Sequence, residues 1–189
     1  MSGFGRTRLI GIWLLGLAGC ADMVVIDGTL VFQGGDSACI GSVAVPAAGL
    51  EPIDDVKLIE LARGAPGEGK LCTGKAYQVQ QALPVYRVWD SSRPASEFGS
   101  WWSFSPPAAN LDAYREAEAI CPEWSAPDRL SVCRLKPGAR IAVGPGQSAQ
   151  CADGSSYPPS AANQVFIPND NAKGKLYVEG CAPAVPWPQ

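Results

Sequence analysis

The chain has 189 residues, with 15 basic and 18 acidic side chains, seven cysteines and no histidine. The acidic balance, and the lack of any basic patch mixed with aromatics, speak against nucleic acid as a partner. Without histidine every Ser-His-Asp and Cys-His mechanism is excluded, and any chemistry falls to carboxylates, Arg, Lys, Ser or Tyr.

Residues 1–19 read as a secretory signal peptide: Arg6 and Arg8, then an apolar run over 9–17, then small residues before Cys20. The run is too short to cross a bilayer as a mature helix. The stretch "LAGC" (17–20) resembles the lipobox of bacterial lipoproteins. That resemblance implies lipidation of Cys20, palmitate included, and membrane attachment through more than one acyl chain, which is what stable anchoring requires. Ala21 stands where an aspartate would signal inner-membrane retention, so the resemblance implies the outer membrane, on its periplasmic or its surface face. Loss of Arg6 and Arg8 with the leader leaves thirteen basic against eighteen acidic side chains, a net −5. Residues 20–189 suit a single extracytoplasmic domain.

Six cysteines remain: Cys39, Cys72, Cys121, Cys133, Cys151 and Cys181. An even number in an oxidising compartment reads as three disulfides, with 15 possible connectivities. Proximity in sequence favours Cys121 with Cys133 and Cys151 with Cys181. A metal site is not expected, since there is no Cys-x-x-Cys and no histidine.

In chain order, "MVVIDGTLVF" (23–32) sets Asp27-Gly28 between two apolar runs and predicts a hairpin. "SVAVP" (42–46) is a candidate short strand. "PIDDVKLIELARG" (52–64) predicts a helix with Pro52 in its first turn and Gly64 at its C-cap, although 56–62 reads almost as well as a strand. "AYQVQQALPVYRVWD" (76–90) is extended chain with β-prone Tyr77, Val79, Val85, Tyr86, Val88 and Trp89. "GSWWSFS" (99–105) predicts a strand on which Trp101 and Trp102 face opposite sides, one in the core and one on the surface, where it would suit stacking on a ligand or partner. "NLDAYREAEAIC" (110–121) is the clearest helix: Asn110 is its N-cap, Leu111, Tyr114, Ala117 and Cys121 share a face, and Pro122 ends it. "CRLKPGARIAV" (133–143) has strand character around a Pro-Gly turn. "QVFIP" (164–168) and "KLYVEGC" (175–181) follow as strands, the second being the last, and the tail "APAVPWPQ" reads as irregular. The fold class is α+β, a β-rich mixed sheet with one or two helices and disulfide staples.

Three pieces stand out together. "YRVWDSSRP" (86–94) holds Arg87 inside a strand before a polar turn. "WSFS" (102–105) carries Ser103 and Ser105 and runs into the helix. "NQVFIP" (163–168) opens with Gln164. In this order they resemble the mono-ADP-ribosyltransferase toxins of the pertussis and cholera type, over about residues 84–168. The resemblance implies a transferase-like sheet over about 76–181, with Arg87 gripping the phosphates of NAD through its guanidinium fork. It implies that Ser103 or Ser105 shapes the nicotinamide pocket, and that Gln164 stands where the family has a catalytic glutamate. An amide brings no negative charge to a developing cation, and losing such a contribution typically costs about a hundredfold or more in rate. Glu179, Glu116 or Glu118 is the available substitute carboxylate. Outside the resemblance, a strand arginine has an ordinary use, an ion pair with Asp90 or Asp112.

The functional expectation is a membrane-anchored envelope lipoprotein whose transferase-like domain binds or recognises a partner, for instance a protein of the envelope, without catalysis and without a cofactor. The alternatives are an active NAD-dependent mono-ADP-ribosyltransferase or NAD glycohydrolase, with NAD bound, and a structural envelope lipoprotein.

Overall fold

The computed structural model describes residues 38–188, and the backbone pairing of two strands before them; Cys20 and the Asp27-Gly28 pair lie outside the described residues. Contacts divide the chain into two units, 1–36 and 37–189. In the first, β1 (Asp22–Ile26) pairs antiparallel with β2 (Thr29–Gln33), with Ile26 opposite Thr29. This antiparallel pairing is the hairpin expected over 23–32.

The second unit runs β3 (Leu50–Ile53), α1 (Val56–Ala62), β4 (Lys75–Val79), β5 (Pro84–Trp89), β6 (Trp101–Trp102), α2 (Leu111–Glu118) and β7 (Arg129–Leu135). It continues with β8 (Arg140–Gly146), β9 (Ala149–Gln150), β10 (Ser156–Tyr157), β11 (Ser160–Phe166), β12 (Val178–Glu179) and β13 (Val185–Pro186). It is a strand-dominated α+β fold. A five-stranded sheet has the order β3-β4-β8-β11-β6, and a second sheet gathers β5, β12 and β13 around β7. Among the described residues no helix is long and apolar enough to cross a membrane.

The inner faces of both sheets feed one core. Val79, Ile141, Val143 and Val165 come from the first sheet, and Val85, Cys133, Leu135 and Val178 from the second. The opposite face of the first sheet offers Ala76 and Ala142, small enough for α1 to pack Leu58 and Ala62 against them. Between β7 and β8, Pro137-Gly138 makes a tight turn closed by Ala139 N donating to Lys136 O at 3.1 Å, with Gly138 at φ 85°. This turn carries the chain from one sheet to the other and does not form a hairpin.

The two sheets are stitched at one place. Tyr86 of β5 and Ser103, just past β6, exchange both backbone hydrogen bonds at 2.9 Å. This junction brings the arginine strand against the serine segment.

Several sequence expectations are corrected. Pro52 lies in β3, opposite Tyr77; it is an edge strand, where a missing N–H is tolerated. The helix starts later, at Val56, capped by Asp55 Oδ1 accepting from Leu58 N at 3.1 Å, and Arg63, not Gly64, is its C-cap. "SVAVP" forms no strand; Ala44 N donates to the side chain of Asn163. The tail is not wholly irregular, because Val185–Pro186 pairs with β7.

The three disulfides form, with a different pairing: Cys39–Cys72, Cys121–Cys151 and Cys133–Cys181. Spatial neighbours decide it. Cys133 sits in β7 beside β12, and Cys181 follows β12 by two residues. Cys121 and Cys151 meet under α2 with Ala119 and Ala149.

Candidate functional site

Arg87, Ser103, Ser105 and Gln164 come from three separate parts of the chain, and all four line one cavity of about 400 Å³. That size lies within the range of small-molecule sites.

The turn after β5 explains how Arg87 is held. Asp90 accepts from Ser92 N and Arg93 Nε, each at 3.0 Å, and also from Ser92 Oγ. These bonds, Ser92's hydroxyl foremost, hold its carboxyl below the usual aspartate range. Asp128 closes the other side, accepting from Ser91 N at 2.8 Å and Ser91 Oγ at 2.7 Å. The polar run Asp90-Ser91-Ser92-Arg93 is therefore a self-satisfied turn, which leads into a 3-10 turn at Pro94–Ser96. Its return places Ser96 O against Arg87 Nε at 2.8 Å, and Trp101 O accepts from Nη1.

Arg87 makes no ion pair with any described residue. The expected pairing with Asp90 or Asp112 does not occur: Asp90 is spent on Ser92 and Arg93, and Asp112 is exposed in the first turn of α2. Burial lowers the guanidinium to about 10, with the neighbouring Tyr114 hydroxyl acting in the opposite direction, so it stays charged at neutral pH. Gly99 lies directly against Nη2; a Cβ there would collide with the guanidinium.

The serine segment is shaped by its own bonds. Ser103 Oγ accepts from Ser105 N at 3.0 Å, after which Pro106 and Pro107 turn the chain toward α2. The two tryptophans divide as predicted: Trp102 is buried in the core, and half-buried Trp101 lines the cavity, packed on Phe166 with ring centroids 5.1 Å apart.

α2 supplies the group that the sheet lacks. Asn110 caps it as predicted, with Oδ1 accepting from Ala113 N at 2.8 Å. The expected apolar face enters the core only in part: Cys121 is buried there, whereas Tyr114, with Glu118 one turn on, lines the cavity. The buried member of this helix is Arg115, whose guanidinium donates to Ile120 O at 3.1 Å and Ser125 O at 2.8 Å and so secures the helix end. Gln164, itself buried, donates from Nε2 to the backbone carbonyl of Glu118 at 2.9 Å.

Burial raises the Glu118 carboxyl to about 7, opposed by a hydrogen bond from Gln164. Burial also pushes the Tyr114 hydroxyl upward, helped by the charge on Glu118. Of the three substitute carboxylates, Glu118 alone enters. Glu116 is exposed on α2, and Glu179 is exposed on β12. Sequence reading missed Tyr114 as a cavity residue, although its i, i+4 spacing to Glu118 was a usable signal.

No donor set for a metal survives among the described residues. Cys121, Glu123 and Cys151 lie together, but the two sulfurs are bonded to each other, and Glu123 accepts from Ala152 N at 2.7 Å. What the cavity offers is a fixed cation, a desolvated carboxyl and aromatic walls. Comparison with protein-family models, with curated proteins and with solved structures finds no match, so the cavity must be read from its own residues.

Proposed function

We propose that the chain is an envelope lipoprotein, anchored in the outer membrane through lipidated Cys20. Its extracytoplasmic domain has an ADP-ribosyltransferase-like sheet and binds a phosphate-bearing, nucleotide-like ligand for recognition and not for turnover. One observation carries the reading. Arg87, Ser103, Ser105 and Gln164, the residues picked out by the resemblance, converge on one cavity, and Arg87 has no carboxylate partner among the described residues. A half-buried guanidinium, fixed at two corners and with no ion pair among the described residues, suits an anionic ligand arriving at its open edge. Gln164 supports binding without catalysis, because its amide is committed to the end of α2 and brings no charge.

Calorimetric titration of ADP-ribose and of NAD into the oxidised mature protein tests this. Binding that disappears in Arg87→Ala, with the circular dichroism spectrum unchanged, supports it. No heat with either ligand leaves the structural-lipoprotein reading. Anchoring is tested separately by metabolic labelling with palmitate, which Cys20→Ser should abolish. Catalysis keeps a place as a second reading because Glu118 puts a carboxyl in the cavity. Release of nicotinamide from NAD, lost in Glu118→Gln, would favour it.

A further inference from the structure

Arg87 of β5 lies directly opposite Ser131 of β7 in the ladder. The next inward positions of β7 are Cys133 and Leu135, both core residues, and Ser131 is itself fully buried. A hydroxyl in such a place costs free energy unless its hydrogen bonds are made. They are made twice over: Ser131 Oγ accepts from Trp89 Nε1 at 2.9 Å and donates to Glu97 Oε1 at 3.1 Å. A polar position inside the core is thus spent on holding Glu97.

Glu97 joins this buried point to the arginine. It ends the 3-10 turn Pro94–Ser96, its N–H donating to Pro94 O at 3.2 Å. The carbonyl of Ser96 belongs to the peptide unit that Ser96 shares with Glu97, and it accepts from Arg87 Nε at 2.8 Å. Gly99 N donates to the same oxygen at 3.1 Å. A closed ring results. It runs from Arg87 Nε to Ser96 O, through the Glu97 side chain to Ser131 Oγ, and back across the β5–β7 ladder to the backbone of Arg87. The turn is pinned in front by Asp90 O, which accepts from Arg93 N and Ser96 Oγ, and behind by Glu97. Neither Glu97 nor Ser131 lines the cavity. Among the described residues Glu97 has no ion pair, and its carboxylate is used on Ser131 alone.

We propose that Glu97 and Ser131 are the positioning residues of the Arg87 site: they fix the carbonyl that orients the guanidinium and do not touch the ligand. This rests on the reading of Arg87 as an anion-binding residue. The guanidinium has two protein acceptors, Ser96 O at Nε and Trp101 O at Nη1. Two bonds fix the plane of the fork, whereas one alone leaves it free to pivot. Freeing the peptide between Ser96 and Glu97 therefore turns the open edge of Arg87 away from an arriving anion, while the strand pairing of β5 stays as it is. An amide in place of the Glu97 carboxylate keeps the accepting oxygen, so the hydrogen bond and not the negative charge does the positioning.

The experiment has two readouts on the oxidised mature protein. Heteronuclear NMR follows exchange of the Arg87 Nε–H with water, that resonance being the one lost in Arg87→Lys, and calorimetry follows ADP-ribose affinity. Glu97→Ala should speed the exchange about ten-fold and weaken ADP-ribose by about as much, with the circular dichroism spectrum unchanged. Glu97→Gln should restore both to within about two-fold of the parent. Ser131→Ala also strands the Trp89 N–H and lowers Tm for that reason, so the exchange rate is its test: it should match Glu97→Ala, and the double variant should go no further. Exchange in Glu97→Ala equal to that in the parent, or a loss that Glu97→Gln does not restore, overturns this inference and leaves the Arg87 site standing. Failure of the parent to bind ADP-ribose overturns the nucleotide reading, and with it the site that these residues serve.

Discussion

Replacing Glu118 with glutamine should make the protein more stable at pH 8 and change it little at pH 5. Burial takes the carboxyl from 4.5 to about 7 in the folded state. Between those values the folded protein holds a proton that the unfolded chain has released, so stability falls as pH rises through the window and levels off above it. At about 1.4 kcal/mol per unit, the penalty at pH 8 has an upper bound of about 3 kcal/mol, and the partial exposure of Glu118 trims it to about 2 kcal/mol. For a domain of this size that corresponds to a Tm higher by about 4–8 °C in the variant at pH 8. The assay is thermal unfolding under non-oxidising, non-reducing conditions at both pH values. The window is clean because the chain has no histidine to titrate within it. A variant less stable than the parent at pH 8, or an equal difference at both pH values, would refute the reasoning. Either result would mean that the carboxylate has a compensating partner.

Gly99→Ala should displace the Arg87 guanidinium, because the new methyl meets Nη2. Phosphate-ligand affinity should drop at least ten-fold by calorimetry, well beyond the change in Tm. Cys133→Ser together with Cys181→Ser opens a link spanning 48 residues and should cost about 4 kcal/mol in denaturant unfolding; a cost below about 1 kcal/mol would say that β7 and β12 hold without it. Asp90→Asn removes an acceptor whose carboxyl lies below the normal range, so its stabilising contribution is present above the unfolded value near 3.8 and is lost as pH falls through the folded one. The variant should be less stable than the parent at pH 6, and the gap should narrow toward pH 2.5. Leu135→Ala empties a fully buried position and should cost about 2–5 kcal/mol by urea denaturation.

Local chemistry was readable in the sequence where it was self-contained. Asn110 announces α2 because its side chain satisfies the helix it begins, and the alternation of Trp101 and Trp102 follows from the strand pleat alone. The features that failed depend on partners distant in sequence. The Cys133–Cys181 pairing follows from β12 lying beside β7, which no spacing rule contains. The Pro-Gly turn expected within 133–143 is present at Pro137-Gly138, but that it passes the chain from one sheet to the other depends on the pairing of β8 with β4 and β11. "SVAVP" has strand composition but its Ala44 N–H goes to a side chain and not to a ladder. At the site, Arg87, Ser103, Ser105 and Gln164 line one cavity. Tyr114 was assigned to an apolar face because it is aromatic, yet that face of α2 meets a cavity.

Trp187 is buried, its backbone N–H donates to Asp128 O at 2.9 Å, and its ring sits edge-on to Tyr114 with centroids 5.0 Å apart. Asp128 is also the residue that closes the turn behind Arg87. One late-synthesised tryptophan thus touches the helix that carries Glu118 and the anchor of the arginine turn together. The chain is made from its N-terminal end, so β5, β6 and α2 exist well before Trp187 is added. Contacts that reach so far along the chain are slow to form. The position of Tyr114 in the cavity wall is therefore backed by a residue next to the end of the described chain, and a truncation before Trp187 would loosen that wall.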